Sequence, residues 1–451
     1  MKDLTTGNEL KTILCFALPI LVGNIFQQLY TVTDSIIVGN FLGKESLAAV
    51  GFSYQINFIL TAVSSGLSLG ASVLISGYFG GKNMSAIKKV IDTSFIFITV
   101  LSIITASAGI CLSHKILVFF QVPENLLIPA DTYLKIIFIG VIPSFIYTLL
   151  TSILRGIGDS KTPTYILIAA ALINTILDIF LVAVVKRGIA GAAVATVISQ
   201  FFSFVICMLY INHLYHGYFI SFSSLQFDRR ELKKSLIIGM PATFQTVFVS
   251  IGFMSIQYLI NSFGTDCMAA FAAASKVDSF AEMPALNLGQ AMTNFTAQNY
   301  GRKKIARIIR GGKSALAIGS CISAVNSLII FIFPSFFITL FNHDPVVVQI
   351  GNSYLRTVSV FYLVFTSMQI LNGLLLGYGK SIVPMIASIG SLCLLQVPVA
   401  AVLSRTNLKY EGIWIAAPIG WAGGLMIRLL YFSHIARKSH EKQNTTAVRP
   451  V

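Results

Sequence analysis

Two acidic residues stand where acids are expensive. Asp34 lies well inside an apolar stretch, in Tyr30-Thr31-Val32-Thr33-Asp34-Ser35, and Asp178 inside another, in Asn174-Thr175-Ile176-Leu177-Asp178. A charged side chain at the centre of a membrane helix costs about 2.5–3.5 kcal/mol, so each needs a reason to be there. Asn174 and Asp178 are four apart and share a helix face, where their oxygens could serve one cation. Carboxyls short of water favour the neutral form, which suits groups that take up and release protons. The plainer alternative is that each Asp caps or hydrogen-bonds a broken helix. A later stretch carries Lys276, Asp278 and Glu282. Lys276 and Asp278 are placed to pair locally, Asp278 and Glu282 are like charges one turn apart, and Glu282 is a candidate to line a cavity.

Other motifs dissolve on inspection. Gly312-Lys313-Ser314 and Gly379-Lys380-Ser381 resemble the end of a phosphate-binding loop, but Arg307 and Leu374 stand where its first glycine is needed. Gly156-Ile157-Gly158-Asp159 has no strand before it. The six histidines fall in loops or at the ends of apolar stretches without metal-ligand spacing, and the six cysteines form no CxxC. Neither nucleotide, resident metal nor other cofactor is expected, and no catalysis.

The elements that hold these residues are membrane spans. The chain has 451 residues, 55% hydrophobic and 11% charged, with a mean hydropathy of +0.80. Soluble domains carry about 25% charged residues, so this chain has too little polar surface for water. Twelve apolar runs of spanning length occur near 13–38, 51–78, 91–112, 132–153, 163–185, 189–211, 235–261, 268–298, 314–338, 352–376, 383–403 and 412–435. The first carries Pro19 and Asp34 and no small-residue cleavage site, so it is expected to stay as a helix rather than leave as a signal peptide.

The chain also contains itself twice. At a displacement of 221, Gly43 meets Gly264, Ala48-Ala49 meets Ala269-Ala270, and Gly80 meets Gly301. Tyr133-Leu134-Lys135 meets Tyr354-Leu355-Arg356, and Gly156-x-Gly158-x-Ser160 meets Gly377-x-Gly379-x-Ser381. Pro241 occupies almost the place of Pro19, and both are kink points. The acids are not repeated: Ser255 and Val399 stand where Asp34 and Asp178 would recur. The reading is an all-α polytopic protein of two six-helix lobes, related by a pseudo-twofold axis along the membrane normal. Residues 1–211 form the N-lobe, 212–234 a cytoplasmic linker, 235–436 the C-lobe and 437–451 a cytoplasmic tail. The net charge of +15 is one-sided, with 23 of the 32 Lys and Arg assigned to the termini or alternate loops. The positive-inside rule then puts both termini in the cytoplasm of a cell membrane, and the basic loops read as lipid anchors rather than a nucleic-acid site.

Several of these segments together carry a family resemblance. They are Pro19 through Gln27-Gln28-Leu29-Tyr30 to Asp34 and Gly39, Leu47-Ala48-Ala49-Val50-Gly51, Leu154-Arg155-Gly156-Ile157-Gly158-Asp159 with Thr162-Pro163, and Ala297-Gln298-Asn299-Tyr300-Gly301. Over essentially its whole length the chain resembles the MATE (multidrug and toxic compound extrusion) family of the MOP flippase superfamily. The resemblance implies a secondary antiporter that exports lipophilic, often cationic, compounds by alternating access, coupled to H⁺ in preference to Na⁺. It makes Asp34 the coupling acid of the first span. Asn174, Asp178 and Thr196 match the N-lobe polar cluster of the DinF-like branch, where Na⁺ could also sit, with Pro19 bending the first helix and Tyr30 beside the site. Gln245 and Gln369 occupy spans in which other members carry acids, so a C-lobe sodium site is not expected. Phe244, Phe248, Met254 and Met283 are candidate liners for lipophilic cations, although such residues more often simply pack. The expected partners are small molecules and the bilayer, with neither nucleic acid nor nucleotide, and the chain is expected to act as a monomer. A lipid-linked precursor flippase is the alternative, and it calls for more cavity cations than Lys276, Lys135 and Arg356. An intramembrane transferase is a weaker one, since the histidines lie outside the spans.

Overall fold

The computed structural model describes residues 3–120, 122–214, 220 and 224–447. The described residues are helical almost throughout. In order, the helices are α1 (Glu9–Gly80), α2 (Met84–Phe119), α3 (Glu124–Gly156), α4 (Lys161–Asp178), α5 (Gly188–Leu214), α6 (Arg229–Asn261) and α7 (Thr265–Gly301). There follow α8 (Ile305–Ile332), α9 (Pro334–Thr339), α10 (Pro345–Ser359), α11 (Tyr362–Gly377), α12 (Ile382–Ile389), α13 (Val397–Leu403) and α14 (Tyr410–Ala447). Two π-helical segments extend this set, Ile179–Val184 directly after α4 and Gly390–Gln396 between α12 and α13.

Among the described residues, ten stretches are long and apolar enough to cross a bilayer, and α10 with α11, bent by 52°, make an eleventh. The expected eighth span is α7, which has the length, at 37 residues, but not the apolarity. The reason is burial. From Asn287 to Asn299 every residue of α7 except Gln290 is buried, so the helix packs against protein and can keep Asn, Gln and Thr. The first two expected spans share the single helical stretch α1. Thr164 Oγ1 on α4 donates to the Pro19 carbonyl at 2.8 Å, while Ser76 Oγ donates to the Gly156 carbonyl at 3.0 Å. A straight helix would hold residues 19 and 76 roughly 85 Å apart. Both instead meet the short 156–164 region, so the chain reverses direction between the spans Glu9–Leu42 and Gln55–Gly80.

The chain forms two compact units. The first is Pro19–Thr243; the second joins Asp3–Leu18 to the residues from Phe244 on. The dividing points therefore fall inside α1 and α6, next to Pro19 and close to Pro241. In the first unit α3 packs between α2 and α5, around buried Ile87, Ile91, Leu134, Leu149, Leu150 and Leu154. The linker segment 224–228 docks on α2, with the Asp228 amide donating to Thr93 Oγ1 at 2.9 Å. In the second unit α7 and α11 cross at their glycines: a methyl on Gly373 would lie 2.0 Å from the Gly289 carbonyl oxygen.

That second unit also captures the chain ahead of the first span. Leu4 is fully buried, its amide donating to Gln298 Oε1 at 3.1 Å and its carbonyl accepting from Asn299 Nδ2 at 3.1 Å. Arg307 donates to the carbonyls of Thr6 at 2.7 Å and Gly7 at 2.6 Å, and Lys304 to that of Thr5 at 2.7 Å. Asp3 is exposed, and against a little desolvation its carboxyl is held below the usual carboxylate range by hydrogen bonds from Thr5 and by the charges of Arg302 and Lys304. The Gln298-Asn299 motif thus grips the start of the polypeptide. The repeat is equally legible in the turns. Gly158 and Gly379, one displacement apart, both have positive φ, and so do Lys82 and Lys303, as turns that end helices require.

Candidate functional site

In the first unit α1, α3, α4 and α5 bring the expected residues together. Asp178, the last residue of α4, is 1% exposed, and Asn174, one turn earlier, is equally buried. Asp34 on α1 and Asp178 on α4 lie within electrostatic reach of one another. A carboxylate only accepts, so two such acids can bond to each other only while one of them keeps its proton. Neither oxygen of Asp178 has a hydrogen-bond partner among the described residues, and neither polar atom of Asn174 has any. Tyr30, one turn before Asp34, lies within the same electrostatic reach, and Thr196 Oγ1 on α5 donates to the Ala192 carbonyl at 3.1 Å. Pro19 lies further along α1, held by Thr164.

Local sequence explains the shape. The π-helical segment Ile179–Val184 begins directly after Asp178, so the backbone widens where the acid sits. Ile37, Val38, Ile137 and Val182 pack into an apolar cluster beside the site, which keeps bulk water scarce. Tyr133 belongs to this cluster and lies within electrostatic reach of Asp34, Asp178 and Tyr30. On sequence Tyr133 serves only as a marker of the repeat. Its copy, Tyr354, donates from its hydroxyl to Asp278 Oδ2 at 2.5 Å, so each repeat places this tyrosine by the buried acids of its own unit.

The second-unit acids are arranged differently. Asp278 on α7 accepts from Tyr354 on α10 and from Tyr362 on α11, tying both arms of the bent helix to α7. The local pairing expected between Asp278 and Lys276 is not formed, and Lys276 makes no ion pair among the described residues, because two tyrosines already occupy the carboxylate. Glu282, one turn on, is half-buried. Gln245 Nε2 donates to Ser388 Oγ at 3.0 Å, and Gln369 is half-buried. Phe244, Phe248 and Met254 are exposed, whereas Met283 is buried in the helix packing. Of the cations weighed for a flippase, Lys135 is paired with Asp131 at 2.7 Å. Arg428, counted on sequence with the basic C-terminal residues, lies within the last span and is 1% exposed. The signal for it was its place inside the apolar run.

Among the described residues no group of three His, Cys, Asp or Glu could hold a metal ion. The first-unit set of Asp34, Asp178, Asn174 and Thr196 offers oxygen donors of the hard kind that alkali cations take. Two neighbouring carboxyls are also groups that can take up and release protons.

The sequence profile of the MatE family matches residues 19–180 and 241–402, each match opening on one of the two span prolines. Two proteins of Bacillus subtilis strain 168 are similar over nearly the whole chain. The probable multidrug resistance protein YoeA is 31% identical, covering 94% of this chain and 93% of its own. The probable multidrug resistance protein YpnP is 30% identical, covering 96% of each. Among solved structures, a MOP superfamily transporter from Pyrococcus furiosus superposes with a TM-score of 0.91 at 23% identity, covering 97% of this chain and 98% of its own.

Proposed function

The chain belongs to the MatE family, and from that premise we propose that it is a proton-coupled antiporter exporting lipophilic, often cationic, small molecules by alternating access. The family places it among multidrug transporters of the membrane, not among enzymes. The observation that carries the finer reading is the nearness of Asp34 and Asp178 in an apolar setting, with both oxygens of Asp178 unpartnered and no ion pair to either acid among the described residues. Two such acids repel when both are ionised, so their proton count is tied to how α1 and α4 pack. Proton uptake from outside would close the pair and favour cargo release. Proton loss to the cytoplasm would part α1 from α4, with Pro19 as the bend. Na⁺ could use the same oxygens, but two neighbouring acids in an apolar setting favour H⁺. The positive-inside distribution supports cytoplasmic termini.

Energetics favours a pair over a single acid. One charge crossing 100 mV is worth about 2.3 kcal/mol, and exchange of one proton for one monovalent cation moves no net charge. A second titrating carboxyl would allow a second proton and so let the membrane potential drive export. The test is efflux of ethidium from cells expressing the wild type or Asp34→Asn, with the pH gradient and Na⁺ varied separately. The expected result is efflux that stops when the pH gradient collapses, ignores Na⁺ and is lost in the variant. Dependence on Na⁺ alone would keep the site and change the ion. No dye movement under either gradient would overturn drug export.

A further inference from the structure

Arg428 is an arginine in the wrong company. Its Nη1 donates to the Gly424 carbonyl at 2.9 Å, and its Nη2 to Ser388 Oγ at 2.7 Å and the Pro384 carbonyl at 3.4 Å. Every acceptor is neutral, no carboxylate of the described residues pairs with it, and its Nε–H has no partner at all. A structural arginine buried to 1% exposure is normally paired and fully hydrogen-bonded, because an unpaired buried charge is strongly destabilising. This one keeps the side-on edge of its guanidinium, Nε with Nη2, only half used. That edge is the one that grips a planar oxyanion with two parallel bonds.

Two glycines of the same helix let polar side chains crowd in around the arginine. Gly420, Gly424 and Arg428 share one face of α14, and a methyl on Gly424 would meet Arg428 Nη1 at 2.9 Å and Ser391 Oγ at 3.0 Å. A methyl on Gly420 would meet Gln396 Oε1 at 2.8 Å. Ser391 and Gln396 both belong to the π-helical segment Gly390–Gln396, so here, as beside Asp178, a widened turn meets buried polar groups. Gln245, half-buried, shares Ser388 Oγ with the arginine, and rotating its amide away frees that hydroxyl. In the first unit the repeat position of Arg428 is Cys207, which is uncharged and fully buried. The cation therefore belongs to the second unit's own chemistry and not to the shared scaffold.

We propose that the second unit binds one oxyanion group, a carboxylate or a phosphate, on the Nε–Nη2 edge of Arg428, with Ser388 and Gln245 completing the site. The group arrives either on a small amphiphile or on a lipid headgroup. Binding needs no ion gradient, so the site stands or falls separately from the export reading.

Both tryptophans of the chain, Trp414 and Trp421, lie on α14 with Arg428, so intrinsic fluorescence reports on this helix. The full chain in phosphatidylcholine nanodiscs is titrated with octanoate and with octyl phosphate, with octanol and chloride as controls. The expected result is a saturable change with at least one oxyanion and with neither control, weakened at least tenfold in Arg428→Gln and less in Arg428→Lys. Replacing phosphatidylcholine with phosphatidylglycerol distinguishes the sources: loss of the octanoate response means that the headgroup occupies the site, and persistence means that the amphiphile does. A wild type silent to both oxyanions and to the lipid exchange overturns the proposal, as does a response unchanged in Arg428→Gln. If Arg428→Gln does not fold, the wild-type contrast between octanoate and octanol decides.

Discussion

Each unit buries acids, but it surrounds them differently. In the first, Asp178 has no hydrogen-bond partner among the described residues and lies within electrostatic reach of Asp34; in the second, Asp278 accepts from two tyrosine hydroxyls. A hydroxyl satisfies a carboxylate without any proton entering or leaving, whereas a buried carboxyl without a partner favours holding its proton. The first arrangement suits a switch and the second a brace, which joins α7 to both arms of the 52° bend between α10 and α11.

The sharpest way to break this comparison is to neutralise one acid at a time. Asp178→Asn is expected to abolish the pH dependence of ethidium efflux, because an amide paired with Asp34 has no proton to exchange. Asp278→Asn is expected to lower the amount of folded protein while leaving the pH profile of what remains unchanged; a shifted profile would make the brace a second switch. Asp278→Ala should cost stability outright, about 1–3 kcal/mol for each tyrosine hydroxyl left buried without an acceptor. Thermal unfolding in detergent, followed by tryptophan fluorescence, measures it. Tyr362→Phe removes a single bond and should cost about 1 kcal/mol in the same assay. The smallest effect lies outside the membrane, at Asp3. Its carboxyl is lowered in the folded state, so its contribution is full above the ordinary Asp value, about 3.9, and is lost only as pH falls below that. Relative to the wild type, hydrogen exchange of the amides of residues 4–9 should therefore quicken slightly in Asp3→Asn, and by the same factor at every pH between 6 and 8. Any pH dependence of transport in that window then comes from elsewhere.

Much of this was legible in the sequence. The repeat, most of the spans and the cost of Asp34 and Asp178 follow from spacing and hydropathy. The approach of those two acids does not, since Asp34 and Asp178 are far apart in the chain and only packing brings them near. Hydropathy also implied a break between the first two spans, and the chain does reverse there, although the interval holds Leu47-Ala48-Ala49, good helix formers, and no proline, and stays helical. α7 reads as an ordinary span until its burial shows why it tolerates so many amides. Arg428 escaped because its environment depends on Gly420 and Gly424 making space from the same helix face, which no count of loop charges reveals.

The grip on residues 4–7 has a practical side. Leu4 is sealed inside the second unit, and the backbone on either side of it is spoken for by Gln298, Asn299, Lys304 and Arg307. An affinity tag or fluorescent protein fused ahead of this stretch would pull on a structural element and not on a loose end.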